Sequence, residues 1–215
     1  MTIPTYIVNL PERADRRQSV LAQFRGLDLF SVEVVSAIKH EIGGRGLWET
    51  FMQIVKKEKG RHSDFFLICE DDHIFTDYFS SELLELQINK ADSLGADILS
   101  GGVSWMKHPI QIDANLFWLE AFNGMQFTIV YSRFYSKLIA ADSTYRSTTD
   151  FDISSLSDNI FVMHPFISVQ KEFGYSDVTS KNAEKGYVES LFKGTFQKLD
   201  MLKRVKAEYK KRLEL

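Results

Sequence analysis

The first half of the chain alternates short apolar runs with segments of helical periodicity. Apolar runs at 5–10, 30–38 and 65–70 are rich in β-branched and aromatic residues, which favours strands. The segment 46–60 instead repeats its apolar residues three and four positions apart, which favours a helix. Strands that alternate with helices predict an α/β fold with a mostly parallel central sheet flanked by helices.

The third apolar run ends in three consecutive acids, in the stretch "FFLICEDDHIF". Because this run is apolar on both faces, we expect an interior strand. Ligands of open α/β sheets collect at the carboxyl ends of strands, where these acids lie. Strand alternation predicts that Glu70 and Asp72 face one side and that Asp71 faces the other.

Two carboxylates on the same side of a strand end repel each other, and a divalent cation removes that repulsion. Mg²⁺ and Mn²⁺ are typically held by one or two protein carboxylates, with phosphate and water oxygens as further ligands. The sequence therefore predicts a Mn²⁺ or Mg²⁺ site at Asp72 and Glu70. The alternative is an acidic loop exposed to solvent, and the triplet alone does not decide between the two.

The second half of the chain is less regular. Asn123-Gly124 predicts a hairpin turn between two strands. From residue 187 onward, apolar residues at helical spacing are accompanied by many lysines and arginines. We predict a domain over 1–190 and a basic amphipathic helix over 191–215. This helix has three interpretations: packing on the domain, a dimer contact, or contact with an anionic membrane surface.

Composition limits the function classes. A chain of 215 residues that is 44% hydrophobic can bury the core of one domain. The net charge of −3 argues against a nucleic-acid partner. A single cysteine, Cys69, excludes an intrachain disulfide and fits a reducing compartment. The sequence shows neither a signal peptide nor a long apolar run, so we expect a cytoplasmic protein.

Four segments together resemble glycosyltransferase family 25, the lipooligosaccharide galactosyltransferase type: "YIVNLPERADRR", "HEIGG", "FFLICEDDHIF" and "HPFISVQKEFGYSDV". The resemblance extends from Thr5 to Val178. It implies a GT-A fold, a UDP-sugar donor and Glu70-Asp71-Asp72 in the role of the Asp-x-Asp motif. The chain departs from the family at 44–48, where members usually carry Cys-x-x-Ser-His.

The resemblance also implies a nucleotide site just after the first strand. An arginine there can bind a diphosphate through two hydrogen bonds. The alternative is a solvated helix N-terminus, although basic residues oppose the helix dipole at that position. The predicted nucleotide-binding residues are Asn9, Arg13, Arg16, Arg17, Glu70, Asp71 and Gln170.

Asp150 and Asp152 are the candidate catalytic residues. An inverting glycosyl transfer needs a carboxylate base to deprotonate the acceptor hydroxyl, and family members often have an aspartate in this region. Asp150 is favoured by its spacing from Gln170. The alternative is that one of the two aspartates caps the helix that follows. Ser176 and Asp177 match the late family motif, or else belong to an ordinary surface loop.

Four aromatic residues have two interpretations each. His164 is either a third metal ligand or a structural histidine. The tryptophans either stack against a sugar or pack within the protein, and packing is the expected use of at least two of them. These tryptophans are Trp48, Trp105 and Trp118.

The expected function is a metal-dependent glycosyltransferase. It would move a hexose, with galactose as one candidate, from a UDP-sugar to a glycan or lipid-linked glycan acceptor. Lipopolysaccharide or other surface-glycan synthesis is the expected setting. Packing on the domain is the default interpretation of the C-terminal helix, and peripheral contact with the inner face of the membrane is an alternative to it. The alternative is a non-catalytic relative that binds nucleotide or glycan. The departure at 44–48 supports the alternative, whereas the intact acidic triplet opposes it.

Overall fold

A computed structural model of the protein describes residues 2–141, 148–175 and 180–213. Strands and helices alternate along its first half, as predicted. In chain order the elements are β1 (Ile3–Asn9), α1 (Ala14–Gln23), β2 (Phe30–Ser36), α2 (Gly43–Arg61), β3 (Phe65–Glu70), β4 (His73–Phe75), α3 (Ser81–Ser93), β5 (Ile98–Ser100), β6 (Trp105–Lys107), β7 (Ile110–Gln111), β8 (Leu116–Leu119), β9 (Ala121–Asn123), β10 (Phe127–Tyr131), α4 (Ser132–Ala140), α5 (Thr149–Leu156), β11 (Ile160–Met163), β12 (Ser168–Gln170) and α6 (Tyr187–Leu213).

The central sheet has eight strands in the order β2-β1-β3-β10-β5-β11-β8-β7. Strands β10 and β8 run antiparallel to their neighbours, and the other strands share one direction. This confirms the predicted α/β fold with a mostly parallel sheet. Strand β3 lies inside the sheet, parallel to β1 and antiparallel to β10.

The alternation of side chains along β3 builds both layers of the core. Phe66 and Ile68 pack with residues of α2, α4, α5 and α6 on one face of the sheet. Leu67 and Cys69 pack with residues of α1 and α3 on the other face. All four side chains are inaccessible to solvent. Burial on both faces explains why this strand is apolar throughout, until it ends at Glu70.

The prediction of a hairpin turn at Asn123-Gly124 is wrong. Strand β9 before this turn pairs with β6, whereas β10 after it pairs with β3 and β5 in the central sheet. The turn therefore leads the chain from one sheet into another. A glycine is still required, because Gly124 has a φ of +120° and a Cβ there would lie 2.9 Å from Oε1 of Gln126.

Helix α6 begins at Tyr187, before the predicted boundary at residue 191. Its first half packs into the core through Val188, Phe192 and Leu199. From Met201 onward most of its side chains are exposed. The division of the chain at residue 190 stays a prediction. None of the helices in the described ranges is long and apolar enough to cross a lipid bilayer.

The carboxylate of Glu172 caps the start of α6. It accepts hydrogen bonds from the backbone N–H groups of Gly186 (2.7 Å), Val188 (2.8 Å) and Glu189 (3.2 Å). These N–H groups have no partner within the helix, and the helix dipole further favours a negative charge there. The bond from Gly186 is the main reason that the pKa of Glu172 is lowered.

We expect Glu172→Ala to lower the free energy of unfolding by about 1 kcal/mol, the usual scale for a lost helix cap. A carboxyl whose pKa is lowered by folding stabilises the native state above its unfolded pKa of about 4.3. That stabilisation disappears as the pH falls through the lower native pKa. Urea unfolding between pH 3 and pH 8 measures the free energy of unfolding of the variant and of the wild type. The difference between the two free energies should become smaller only at acidic pH.

The matched control is Glu189→Ala, which removes an exposed charge from the same turn but no side-chain cap of this kind. It should cost only a few tenths of a kcal/mol, roughly the exposed helix-dipole contribution. Equal losses in the two variants would mean that charge alone, rather than the hydrogen bonds of Glu172, stabilises α6.

Candidate functional site

A cleft of about 750 Å³ opens at the carboxyl edge of the parallel strands. Because β1, β2 and β3 run parallel, the segments that follow them meet at this edge. The segment after β12 and the start of α6 form the facing wall. Residues that line the cleft include Leu10, Arg13, Arg16, Ala37, Ile38, Lys39, His40, Gly44, Leu47, Glu70, Asp71, Asp72, Gln170, Lys171, Phe173, Tyr175 and Val188.

A buried ion pair between Arg16 and Asp71 lies at the base of the cleft. Nη1 of Arg16 donates to Oδ1 of Asp71 at 3.2 Å, and Nδ2 of Asn9 donates to Oδ2 of Asp71 at 2.9 Å. Nη1 of Arg13 is 3.9 Å from the same carboxylate. All of these except Arg13 are buried residues. Asp71 is therefore an internal anion that joins the end of β3 to β1 and α1.

Arg16 also contacts Asp72, with Nη1 3.6 Å from Oδ2. The alternation predicted for the three acids stops at Glu70, because β3 ends there and the chain turns. Asp71 and Asp72 therefore both approach the same guanidinium group. The sequence prediction that Asp71 faces away from Asp72 is wrong for this reason.

The segment after β12 closes over Arg16. The backbone oxygen of Tyr175 accepts a hydrogen bond of 2.8 Å from Nη2 of Arg16. The Cζ atom of Arg16 lies 4.8 Å from the ring centre of Phe173 and 4.4 Å from that of Tyr175. Sequence reasoning did not single out these two aromatic residues, although both lie within the late motif. Their packing fixes the guanidinium group by cation–π contacts.

The predicted nucleotide-binding residues do not all line the cleft. Arg13 is half-buried in the cleft wall, and Gln170 lines the cleft at the end of β12. Asn9 is buried and holds Asp71. Arg17 is exposed on α1 and is not among the lining residues. Of the three predicted arginines, Arg13 and Arg16 line the cleft, and Arg13 is the more exposed of these two.

Glu70 and Asp72 form a pair of carboxyls that the protein neutralises only in part. Burial, followed by the charges of Asp72 and Asp150, raises the pKa of Glu70 well above its usual range. Burial, followed by the charge of Asp71, raises the pKa of Asp72 to about 7. Oδ1 of Asp72 is buried and has no hydrogen-bond partner within the described residues.

This donor set fits a hard divalent cation. Mg²⁺ and Mn²⁺ take oxygen ligands, and one or two carboxylates suffice when phosphate and water oxygens supply the rest. Within the described part of the chain, no group of three or more His, Cys, Asp or Glu residues is arranged to hold a metal. Glu70 and Asp72, with the partnerless Oδ1, would thus share a cation with ligands from outside the protein.

Asp150 lies close enough to Glu70 to act on its charge, although neither Asp150 nor Asp152 is among the lining residues of the cleft. Asp150 is buried in the first turn of α5, and its Oδ2 accepts a 2.6 Å hydrogen bond from the backbone N–H of Gly124. Burial raises its pKa, and its charge contributes to the raised pKa of Glu70. Asp152, two residues further along α5, is also buried. The residue at the N-cap of α5 is Thr148, so neither aspartate occupies that position.

The remaining aromatic candidates differ in position. The ring of His164 packs 4.6 Å from that of Phe196, and His164 is not among the lining residues of the cleft. Trp48 is buried in the core, and Nε1 of Trp118 donates to the backbone oxygen of Asp158. Trp105 is exposed. Ser176 and Asp177 lie outside the described residues.

Comparison with known proteins identifies the fold. No family model and no curated protein matches the chain. Among solved structures, A197 from STIV superposes with a TM-score of 0.58 at 11% identity, over 82% of this chain and 87% of that one. A glycosyltransferase involved in the glycosylation of the major capsid of PBCV-1 superposes with a TM-score of 0.52 at 10% identity, over 89% and 98% of the two chains. The chain has a GT-A-like fold, and its placement in glycosyltransferase family 25 stays a prediction.

We expect Arg16→Met to lower the free energy of unfolding by about 3 kcal/mol, because Asp71 would stay buried without its cation. Arg17→Met is the matched control, since Arg17 is the exposed neighbour on the same helix, and it should change stability by less than about 0.5 kcal/mol. Chemical denaturation at pH 7 compares the two variants. Equal effects would show that the ion pair does not stabilise the fold.

Proposed function

We propose that the protein is a metal-dependent glycosyltransferase that moves a hexose from a UDP-sugar to a glycan acceptor. The observation that carries this proposal is the cleft at the carboxyl edge of the sheet, which Glu70 and Asp72 line, with Asp150 buried near Glu70. The GT-A-like fold supports it. Galactose as the sugar, a lipid-linked acceptor and a role in lipopolysaccharide or other surface-glycan synthesis follow from the family resemblance alone.

The cleft has two kinds of group that can bind the diphosphate of a nucleotide sugar, a guanidinium group and a pair of carboxyls. Arg13 offers a guanidinium group at the cleft surface, suited to phosphate oxygens. Glu70 and Asp72 would hold Mn²⁺ or Mg²⁺, which when bound offsets the negative charge that develops on the departing diphosphate. Arg16 acts through Asp71 and Asp72, since it keeps these carboxylates in place.

Asp150 is the proposed general base, with Asp152 as the second candidate. Its raised pKa makes the carboxylate a better proton acceptor than an ordinary surface aspartate. As Asp150 takes the proton of the acceptor hydroxyl, the acceptor oxygen bonds to the anomeric carbon. The bond from that carbon to the diphosphate oxygen breaks, and UDP leaves with the bonding electrons.

One observation favours the second function, a non-catalytic relative that binds nucleotide or glycan. Arg16 already neutralises part of the charge of Asp71 and Asp72 from within the chain. Because Arg16 offsets part of the negative charge of these carboxylates, less charge is left for a metal ion to neutralise. The departure from the family motif at 44–48 points in the same direction.

The outer half of α6 is the proposed membrane contact. Met201, Val205, Tyr209 and Leu213 are exposed and follow one another at a spacing of four residues. The segment 201–213 contains six lysines and arginines but a single acid, Glu208. A helix with exposed apolar residues and this charge fits the surface of an anionic bilayer, which would place the protein at the inner face of the cytoplasmic membrane. A dimer contact is the alternative.

We expect UDP to raise the melting temperature of the wild type in the presence of Mn²⁺ but not after treatment with EDTA, because a ligand of the native state stabilises it. Asp72→Asn should lose this Mn²⁺-dependent shift together with turnover. Asp150→Asn should keep the shift, while UDP release from a UDP-hexose falls by about 10²-fold or more, the scale for a lost general base. Thermal shift and a UDP-release assay measure the two effects.

Asp152→Asn is the companion variant. If Asp150→Asn turns over normally and Asp152→Asn does not, the base is Asp152. Normal turnover in both variants contradicts the assignment of the base. A shift by UDP without turnover on any UDP-hexose supports the non-catalytic alternative, and an equal shift with EDTA contradicts the metal site.

Deleting the chain after Lys203 should leave the UDP-dependent thermal shift intact, because Val188, Phe192 and Leu199 remain in the core. Sedimentation with vesicles that contain phosphatidylserine should fall markedly, and vesicles of phosphatidylcholine alone should bind neither form. Unchanged sedimentation argues against a membrane role. Light scattering that shows a loss of dimer instead supports the alternative interpretation.

A further inference from the structure

Two exposed aromatic side chains lie in contact beside the candidate catalytic carboxyl. Trp105 is 44% exposed and Phe151 is 38% exposed. Their ring centres are 5.4 Å apart, with an angle of 74° between the planes. In this edge-to-face arrangement one ring covers little of the other's face, so flat apolar surface stays open to solvent. A ring face that stays open to solvent offers flat apolar area on which a ligand ring can pack.

The elements that carry the two rings are firmly joined. Strand β6 pairs with β9, and Trp105 lies opposite Asn123 in that pairing. Ser154 of α5 accepts a hydrogen bond from the backbone N–H of Phe122 in β9. The N–H of Gly124, which follows β9, donates to Asp150. The relative position of the rings therefore does not depend on their mutual contact alone.

The same contacts connect this pair of rings to the cleft. Phe151 follows Asp150 directly in α5, and the charge of Asp150 acts on Glu70 in the cleft. Oγ1 of Thr149 donates to the backbone oxygen of Gly44, a lining residue of the cleft, at 3.1 Å. The aromatic pair is thus joined to the candidate base and to the cleft wall through α5 and β9, although neither ring is among the lining residues of the cleft.

We propose that Trp105 and Phe151 form a binding platform for a pyranose ring of the acceptor glycan. A pyranose ring presents C–H groups on its faces and hydroxyl groups around its edge. Its faces can pack on aromatic rings, while a hydroxyl remains free to reach a carboxylate. This inference rests on the proposed glycosyl transfer, because it assigns to the platform the sugar whose hydroxyl Asp150 deprotonates.

Saturation-transfer NMR tests the platform with three probe saccharides: methyl β-D-galactopyranoside, methyl α-D-glucopyranoside and lactose. Each is titrated into the full chain with UDP and Mg²⁺, which is diamagnetic and leaves the saccharide signals unbroadened. We expect at least one to bind, and Trp105→Ala and Phe151→Ala each to raise its Kd about tenfold, which corresponds to the loss of about 1.4 kcal/mol. Trp105→Phe, which keeps an aromatic face, should recover most of the affinity.

Tyr78→Ala is the matched control. Tyr78 is 53% exposed and also packs on another ring, that of Phe196 at 5.8 Å, but it lies between β4 and α3 and its ring partner belongs to α6 rather than to α5. Its removal should change the saccharide Kd by less than twofold. The platform is overturned if Tyr78→Ala weakens binding as much as Trp105→Ala, or if neither platform variant weakens it.

The UDP-dependent thermal shift separates this inference from the function on which it rests. It should be the same in all of these variants, which also shows that they are folded. If no probe binds the wild type although UDP stabilises it, the platform proposal fails and the nucleotide site stands. If UDP does not stabilise the wild type, the proposed function fails as well.

Discussion

The buried ion pair between Arg16 and Asp71 is the interaction on which the cleft depends. It connects helix α1, the end of β3 and, through Asn9, the end of β1. The segment after β12 adds Phe173 and Tyr175 to the same guanidinium group. A buried pair of this kind contributes little net stability compared with an apolar packing, yet loss of one partner is costly. The main role of the pair is therefore to fix the positions of α1 and of the ends of β1 and β3 relative to one another.

This pairing divides the acids in and beside the cleft into two groups. Asp71 receives hydrogen bonds and a cation from within the chain, so its charge is largely satisfied. Glu70 and Asp150 are left with raised pKa values because burial is not offset to the same extent. A carboxyl whose pKa is raised by folding stabilises the protein only below its usual pKa. That contribution is lost as the pH rises toward the native value, so these acids disfavour the folded state at neutral pH.

The sequence predicts much of the fold because its central strand carries a local signal. The run from Phe65 to Cys69 is apolar on both faces, and only an interior strand buries both. The small sheets carry no such signal. Strand β12 pairs with β4 from about a hundred positions away, through strands of three residues each. The prediction at Asn123-Gly124 failed for the same reason, since the true partners of both flanking strands lie elsewhere in the chain.

The candidate site shows the same limit. The acidic triplet and the arginines were found from the sequence, but which arginine reaches which acid depends on how α1 packs against the end of β3. Arg16 turns inward while Arg17 remains exposed, although both are charged neighbours in one helix. The aromatic residues that hold Arg16 come from a segment more than 150 residues further along the chain. The local sequence pattern therefore identifies the charged residues that need a partner, whereas tertiary packing determines which residue becomes that partner.

Protons and divalent cations are alternative ways to relieve the remaining charge in the cleft. Burial raises the pKa of Asp72 to about 7, so that a proton competes for this carboxyl near neutral pH. A cation bound by Asp72 must displace that proton, because metal ligands of this type are deprotonated. Arg16 lies against Oδ2 of Asp72, whereas the partnerless atom is Oδ1. The guanidinium group of Arg16 and the proposed cation would therefore occupy different oxygens of one carboxylate, so that Arg16 would not compete with that cation.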